Sequence, residues 1–383
     1  MACGCDNLVA VGMGQQLGEE RRSHFDALDS LRALAISLVL ASHATDDFPR
    51  LLQKYSAAGW CGVDLFFVLS GFLITRGLLK SKASDEPYFR LFYWKRFLRI
   101  FPLYYAALLL FFFVLPVALP LPVPSHADQK WYFLYLSNWP VLAHQSVPIV
   151  GHFWSLAVEE QFYLMWPLLV FLLPRRGVIW GSLLAICAAP LVRSLLLFHG
   201  VDQELIYRNT FCRMDALMAG ALGATLFDDP RFQAALRRWR MIILPLSLGL
   251  VISPVLLWGP SYFRARVLVG GISMYVLGFS LAVASGAVRG TWWNRFNWKP
   301  LKYIARWSYG IYVYHLLFYW WAHQIPGLAG FPRIALEVGV SVLIAALSYE
   351  FFESKLLRFK DLLRHPRRRL AGIERSSVGA QVD

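Results

Sequence analysis

Chemistry in this chain would sit where charged and titratable residues interrupt apolar sequence, because an ionisable group inside a membrane span costs several kcal/mol and is seldom kept without a use. In the run Leu31 to His43, Arg32 and His43 stand 11 residues apart. On a helix that spacing is about 16 Å of rise with an angular offset of about 20°, so both lie on one face. Two readings fit. One is a fixed positive charge and a titratable base facing one cavity; the other is an arginine snorkelling to the interface and a histidine at the opposite one. In the stretch from Gly151-His152-Phe153-Trp154-Ser155 to Pro167, Glu159 and Glu160 enter an otherwise apolar run. Neighbouring helical residues diverge by about 100°, so the two carboxylates must address different partners, one an Arg or His and the other a hydroxyl. Arg96 and Arg99, at i and i+3, could grip a pyrophosphate through charge-assisted bonds, or simply anchor a cytoplasmic edge. Ser308 and His315 are seven apart and share a helix face, and Arg213 and Asp215 lie in another apolar run. Asp64, in front of Ser70-Gly71, reads as an N-terminal charge on a closely packed helix. Glu350 and Glu353 beside Lys355 read as a surface ion pair.

The elements that must position these residues follow from composition. Of 383 residues, 57% are apolar and 16% charged, with a mean hydropathy of +0.47. Soluble domains carry roughly a quarter charged residues, and disorder needs low hydrophobicity, so both classes are excluded. Fifteen Trp, 17 Tyr and 28 Phe suit interfacial belts. The expected fold is all-α: a polytopic transmembrane helical bundle of about ten spans, near 31–50, 59–79, 98–118, 151–173, 177–198, 209–227, 241–258, 266–287, 303–322 and 334–353. Residues 131–143 are too short to span and read as one re-entrant or interfacial helix after a Pro-rich loop. Residues 1–26 are expected to be a cytoplasmic leader, 80–95 a polar linker, 27–358 the membrane domain and 359–383 a basic cytoplasmic tail. Cys3, Cys5, Cys61, Cys187 and Cys212 show no Cys/His spacing that suggests zinc, so no metal is expected. The net charge of +14 is an orientation signal rather than a nucleic-acid footprint, because its residues alternate in density from loop to loop.

Five segments, in order, resemble the membrane acyltransferase family 3, which O-acylates cell-envelope sugars and some small molecules. Arg32 to His43 is similar to the family's Arg/Lys, ten residues, His signature. Gly62 to Phe72 resembles its second-helix motif, and Arg96-x-x-Arg99 its cytoplasmic R-x-x-R. Phe153 to Pro167 is close to its W-S-L-x-V-E-E-Q-F-Y-L-x-W-P block, and Ser308 to His315 to its S-Y-x-x-Y-x-x-H segment. Glu353-Ser354-Lys355 lacks the proline of the family's Glu-Lys-Pro-like ending, which weakens a role carried over to Glu353. The resemblance implies an O-acyltransferase with no resident cofactor and acyl-CoA, usually acetyl-CoA, as donor substrate. It implies a carbohydrate or glycolipid acceptor and a multi-pass location in the inner (plasma) membrane. It also implies roles: His43 as base with Glu159 and Glu160 in the catalytic group, Arg32, Arg96 and Arg99 on the donor, and Trp154, Ser155, Tyr163 and His315 on the substrate. A small-molecule acyltransferase acting on, for instance, an antibiotic sugar would share these features. A transporter or flippase would share the intramembrane charges but more often shows inverted halves with broken helices.

Loop charges set the orientation. Taking alternate connections, 26 Lys and Arg fall on one side with both termini, and seven (Arg50, Lys54, Lys130, Arg208, Arg264, Arg266 and Arg333) on the other. The positive-inside rule then puts both termini in the cytoplasm. Reporter fusions within 80–95 and after the C-terminus should give cytoplasmic signals; an extracytoplasmic signal from either would overturn this topology.

Overall fold

The computed structural model describes residues 27–139, 147–288 and 298–363. The expected leader and residues 364–383 of the expected tail lie outside the described residues. The described residues are helical and contain no strand.

Ten helices of fifteen residues or more are present among them: α1 (27–43), α2 (Gly62–Lys82), α3 (Tyr88–Leu109), α4 (Trp154–Leu172), α5 (Arg175–Phe198), α6 (Thr210–Leu226), α7 (Arg240–Trp258), α8 (Ile272–Gly286), α9 (Lys299–Ala322) and α10 (Phe331–Ser348). Each overlaps one expected span. Seven helical segments, those containing α2, α3, α4, α5, α7, α8 and α10, are long and apolar enough to cross a membrane. The other three are α1, α6 and α9, which carry Arg32 and His43, Arg213 and Asp215, and His315. Of these, α1 and α6 are each 17 residues long, short for a span, and the polar groups that all three carry are tolerable only where neighbouring helices cover them.

Helix α2 is at the centre, packed most extensively on α6, with α8 against both. Helix α5 lies against α6, α7 against α8, and α9 pairs with α10. Small residues allow the α2–α6 approach. A Cβ on Gly71 would stand 1.8 Å from the Leu217 carbonyl oxygen, and one on Gly220 2.1 Å from that of Val68. Such contacts are possible only for glycine, so the backbones touch here as the Ser70-Gly71 pair suggested.

Several boundaries differ from expectation. The first helix ends at residue 43 rather than 50, because Thr45 turns its hydroxyl onto the Ser42 carbonyl (2.9 Å) and Pro49 follows. The polar linker at 80–95 is only the short break between Lys82 and Tyr88; α3 starts seven residues before Lys95 and carries Arg96 and Arg99 within the helix. The short helix is His126–Phe133, not 131–143. It is closed by the Tyr135 N–H on Tyr132 O (3.1 Å) and the Leu136 N–H on Trp131 O (2.8 Å), with Tyr135 at φ 53°. That is a Schellman ending with a tyrosine in the place glycine prefers. Stacking of its ring on Tyr104, centroids 4.2 Å apart, and a 2.9 Å bond from Gln161 Nε2 to its carbonyl hold it there. Residues 140–146 of the expected segment lie outside the described residues.

The C-terminal end of α10 widens into a π turn, Tyr349–Glu353, which buries Glu353 beside Gly310 of α9. Glu353 is therefore not part of a surface ion pair, and its Oε1 has no hydrogen-bond partner. Beyond it, Trp94 Nε1 donates to Phe359 O (2.9 Å), fastening the start of the expected tail to α3.

The α2–α6 crossing gives a paired test. Gly71→Ala should sharply reduce the yield of folded protein in detergent, measured by fluorescence-detected size exclusion. Gly77→Ala, whose Cβ would meet nothing within 4 Å, should leave it unchanged. Equal tolerance of both would contradict the close contact.

Candidate active site

Inside the bundle, α2, α6 and α5 are tied by two buried ion pairs that cross between helices. Arg213 Nη2 donates to Asp64 Oδ1 at 2.6 Å, both side chains 0% exposed. Arg193 Nη1 donates to Asp215 Oδ2 at 2.8 Å and also reaches the Cys212 carbonyl and Ser273 Oγ. Asp64, Arg213 and Asp215 stand out in the sequence but their pairing does not, since Arg213 and Asp64 are 149 residues apart and leave no periodic signal. Arg213 also lies over Tyr207, 4.7 Å from the ring centroid, with Phe67 and Trp154 farther off. Trp154, expected on the substrate, is thus buried in the arginine's aromatic cage, packed on Phe67 and Tyr207.

On the other side of α2 is a cavity of about 430 Å³. Arg32, Lys95, Arg96, Arg99 and Lys360 line it, as do Ser70, Ser155, Glu159, Glu160, Tyr163, Ser308, Tyr309 and Tyr312. The basic residues here come from the first half of α1, from the early and middle turns of α3 and from the segment after α10, the side that the loop charges assign to the cytoplasm. Lys360, expected in the tail, belongs to this wall. Arg32 is paired with Asp29 at 2.9 Å, one turn away on its own helix.

Deeper in, Ser70 Oγ donates to Glu159 Oε1 (2.5 Å) and lies 3.0 Å from Tyr163 Oη. The Arg96 guanidinium stands 5.5 Å from the Tyr163 ring centroid. Glu160 faces the same space by a different route, and its Oε1 is buried without a partner. The divergence expected of adjacent carboxylates is what the helix produces: one is committed to α2, the other is left for an incoming donor.

The far wall is a hydrogen bond of 2.5 Å between Ser155 Oγ and Tyr312 Oη, with both hydroxyls also directed at His152 O (3.1 Å each). Behind this wall three imidazoles meet. The His315 ring lies 4.7 Å from His152 and 5.1 Å from His43, centroid to centroid, and 5.6 Å from the Tyr312 ring. His152 and His315 are buried; neither nitrogen of His152, nor His315 Nε2, has a partner. His43 is exposed.

Arg32 and His43 therefore do not face one cavity. Arg32 lines the cationic end, while His43 belongs to the histidine group behind Tyr312, because 11 residues of helix carry it past the wall. The structure brings Arg32, Arg96, Arg99, Glu159, Glu160, Ser155 and Tyr163 together in one space, and His43 with His315 in the next. His152 was missed. Its signal was its place in the same run, one turn before Ser155, which predicts a shared face.

The acyltransferase-3 family model, described as an acyltransferase domain, matches residues 25–351. The chain belongs to this family. Relatives of this acyltransferase-3 chain include YrhL of Bacillus subtilis, 28% identical over 365 residues (88% of this chain, 55% of that protein). The peptidoglycan O-acetyltransferase OatA of Listeria monocytogenes is 28% identical over 359 residues, covering 88% and 56%. The O-acetyltransferase OatA of Staphylococcus aureus is 27% identical over 360, covering 87% and 57%. The chain thus spans just over half the length of these curated relatives. No solved structure matches it.

Removing one partner of a buried ion pair leaves a charge uncompensated, at a cost of about 3–5 kcal/mol, whereas replacing both by apolar groups is far cheaper. Arg213→Met alone should markedly lower the thermal unfolding midpoint in detergent, and Arg213→Met with Asp64→Leu should recover most of the loss. A single variant as stable as the parent would contradict the pair's structural role.

Proposed function

We propose that this chain is an integral membrane O-acyltransferase that moves an acyl group, acetyl first among candidates, from a cytoplasmic acyl-CoA to a hydroxyl of cell-wall carbohydrate. The ten long helices all cross the inner membrane in this reading, with both termini in the cytoplasm. The observation that carries it is one continuous arrangement: a cavity with basic residues at its cytoplasmic end and a Ser155–Tyr312 wall at its far end, backed by His315 and His43. The family membership supports the reaction class, and the names of the Listeria and Staphylococcus relatives support an acetyl group and, for the former, a peptidoglycan acceptor.

In this mechanism Arg32, Arg96 and Arg99 hold the phosphates of the donor, which bidentate guanidinium groups suit. The thioester reaches past Ser70 and Tyr163 toward Ser155 and Tyr312. Glu159 keeps the Ser70 and Tyr163 hydroxyls oriented, and Glu160 accepts a hydrogen bond from the bound substrate. His43 takes the proton of the acceptor hydroxyl as the oxygen attacks the thioester carbonyl. The tetrahedral adduct collapses with cleavage of the C–S bond, giving the ester and the CoA thiolate, which takes up a proton. Positioned base catalysis of this kind contributes about 10²–10⁴-fold. His315 packs against the His43 ring and positions it, and the Ser155–Tyr312 bond parts to let the thioester reach the acceptor beside His43.

His43→Ala should lower kcat for acetyl transfer by about 10²–10⁴-fold with donor affinity little changed. Arg96→Ala with Arg99→Ala should instead weaken donor binding, by a margin that shrinks as salt rises. Radiolabelled transfer by membranes at matched expression separates the two. Near-parental activity of His43→Ala would remove it as the base, and unchanged donor affinity in the arginine variant would reduce the pair to a topological anchor.

A further inference from the structure

A second polar cluster lies outside this cavity, at the end of the bundle that loop charges place away from the cytoplasm. Asp47 belongs to the Thr45–Asp47 turn after α1, His323 follows α9, and Glu337 is in the second turn of α10. One ligand atom from each lies within 4.8 Å of the other two. Glu337 is fully buried, and neither of its carboxylate oxygens accepts a hydrogen bond. A buried carboxylate in that condition is costly, and Arg333, one turn earlier on the same helix, attracts it without hydrogen-bonding it. Asp47 is already held, by the Gly330 N–H (2.8 Å) and by Arg333 (3.1 Å), so the nearby guanidinium is committed to Asp47 rather than to Glu337. His323 Nδ1 stands 3.2 Å from Glu337 Oε1, yet its hydrogen bond goes to the Tyr319 carbonyl (2.8 Å).

We propose that Asp47, His323 and Glu337 form a binding site for a divalent transition-metal cation of the zinc class. One imidazole and two carboxylates are donors that suit such ions. The 3.2 Å between Nδ1 and Oε1 matches two neighbouring ligands each bonded at about 2.0–2.2 Å. His323 is 42% exposed, which gives the ion access and leaves water a coordination position. Binding displaces the Nδ1 proton to solvent, and the dication supplies the positive charge that Glu337 lacks. The ion would join three segments: the turn four residues after His43, the end of the helix that carries His315, and the start of α10. None of the three shares a sequence neighbourhood, so the Cys/His spacings that suggested no metal do not bear on it. The rival reading is a plain His323–Glu337 ion pair, which has no metal dependence.

The test uses the full chain purified in detergent, stripped with EDTA and dialysed against zinc chloride. Bound zinc is measured by elemental mass spectrometry, and stability by thermal unfolding in EDTA and in zinc. The parent should retain about one equivalent of zinc and unfold at a temperature that rises with zinc concentration, as binding to the folded state alone requires. Glu337→Gln should lose both effects while remaining at least as stable as the parent in EDTA, because it removes an unpaired buried carboxylate. Asp47→Asn should also lose the zinc-dependent shift, which keeps the test open should Glu337→Gln fail to fold. The proposal is overturned if the parent holds no zinc, if Glu337→Gln holds as much as the parent, or if uptake disappears in His315→Ala but persists in Glu337→Gln, which would put the metal on the histidine group.

Discussion

A charge in the middle of an apolar bundle has to be compensated, and here that constraint is met by the ion pair between Arg213 and Asp64. Its two charges come from different helices, so the pair can form only if α2 and α6 touch. Gly71 and Gly220 remove the side chains that would keep them apart. Once α2 is fixed in this way, its opposite face presents Ser70 to Glu159 of α4, and the polar cavity takes its shape from that second contact. The neighbouring Arg193–Asp215 pair fastens α5 to the same core. Each of these two pairs sets an opposite charge within 2.8 Å of its partner, whereas Glu160, in the cavity wall, has no ion-pair partner among the described residues and a buried Oε1 without a hydrogen bond.

The site divides the bundle into two compartments. Basic side chains gather at one end of the cavity, carboxylates and hydroxyls lie at its middle, and the histidines are set behind the Ser155–Tyr312 bond. Such a division suits a reaction whose two substrates arrive from opposite sides of a membrane. A hydrophilic donor can be held at the inner end by charge, and only its acyl end needs to approach the wall. Helix α9 matters most to this arrangement, because it contributes Ser308, Tyr309 and Tyr312 to the cavity and His315 to the histidine group.

Much of this was legible in the sequence. Each of the ten long helices among the described residues overlaps an apolar run that can be read locally, although only seven lie in segments long and apolar enough to cross a membrane. The five motif segments located Arg32, Arg96, Arg99, Glu159, Glu160 and Tyr163, and the structure puts all of them around one cavity. Helical arithmetic put Arg32 and His43 on one face but could not decide whether they share a cavity, for a geometric reason. A common face does not mean a common cavity when the residues are 11 apart and a side-chain wall crosses the intervening length. Partners distant in sequence were also invisible: Asp64 with Arg213, Arg193 with Asp215, and Asp47 with His323 and Glu337. Glu353 was read as surface because its flanks, Glu350 and Lys355, are polar; the π turn that rotates it inward leaves no mark in composition. His152 lay in plain view but had no partner nearby in sequence to suggest the histidine group.

In the proposed reaction, donor and acceptor approach the Ser155–Tyr312 wall from opposite faces of the membrane. Sealed membrane vesicles of defined sidedness test it most directly, with labelled acetyl-CoA supplied only from outside the vesicle. Inside-out vesicles, which in the proposed orientation present the Arg96 and Arg99 end of the cavity, should consume the donor, and right-side-out vesicles should not. Equal consumption by both, or consumption by right-side-out vesicles alone, would contradict the account.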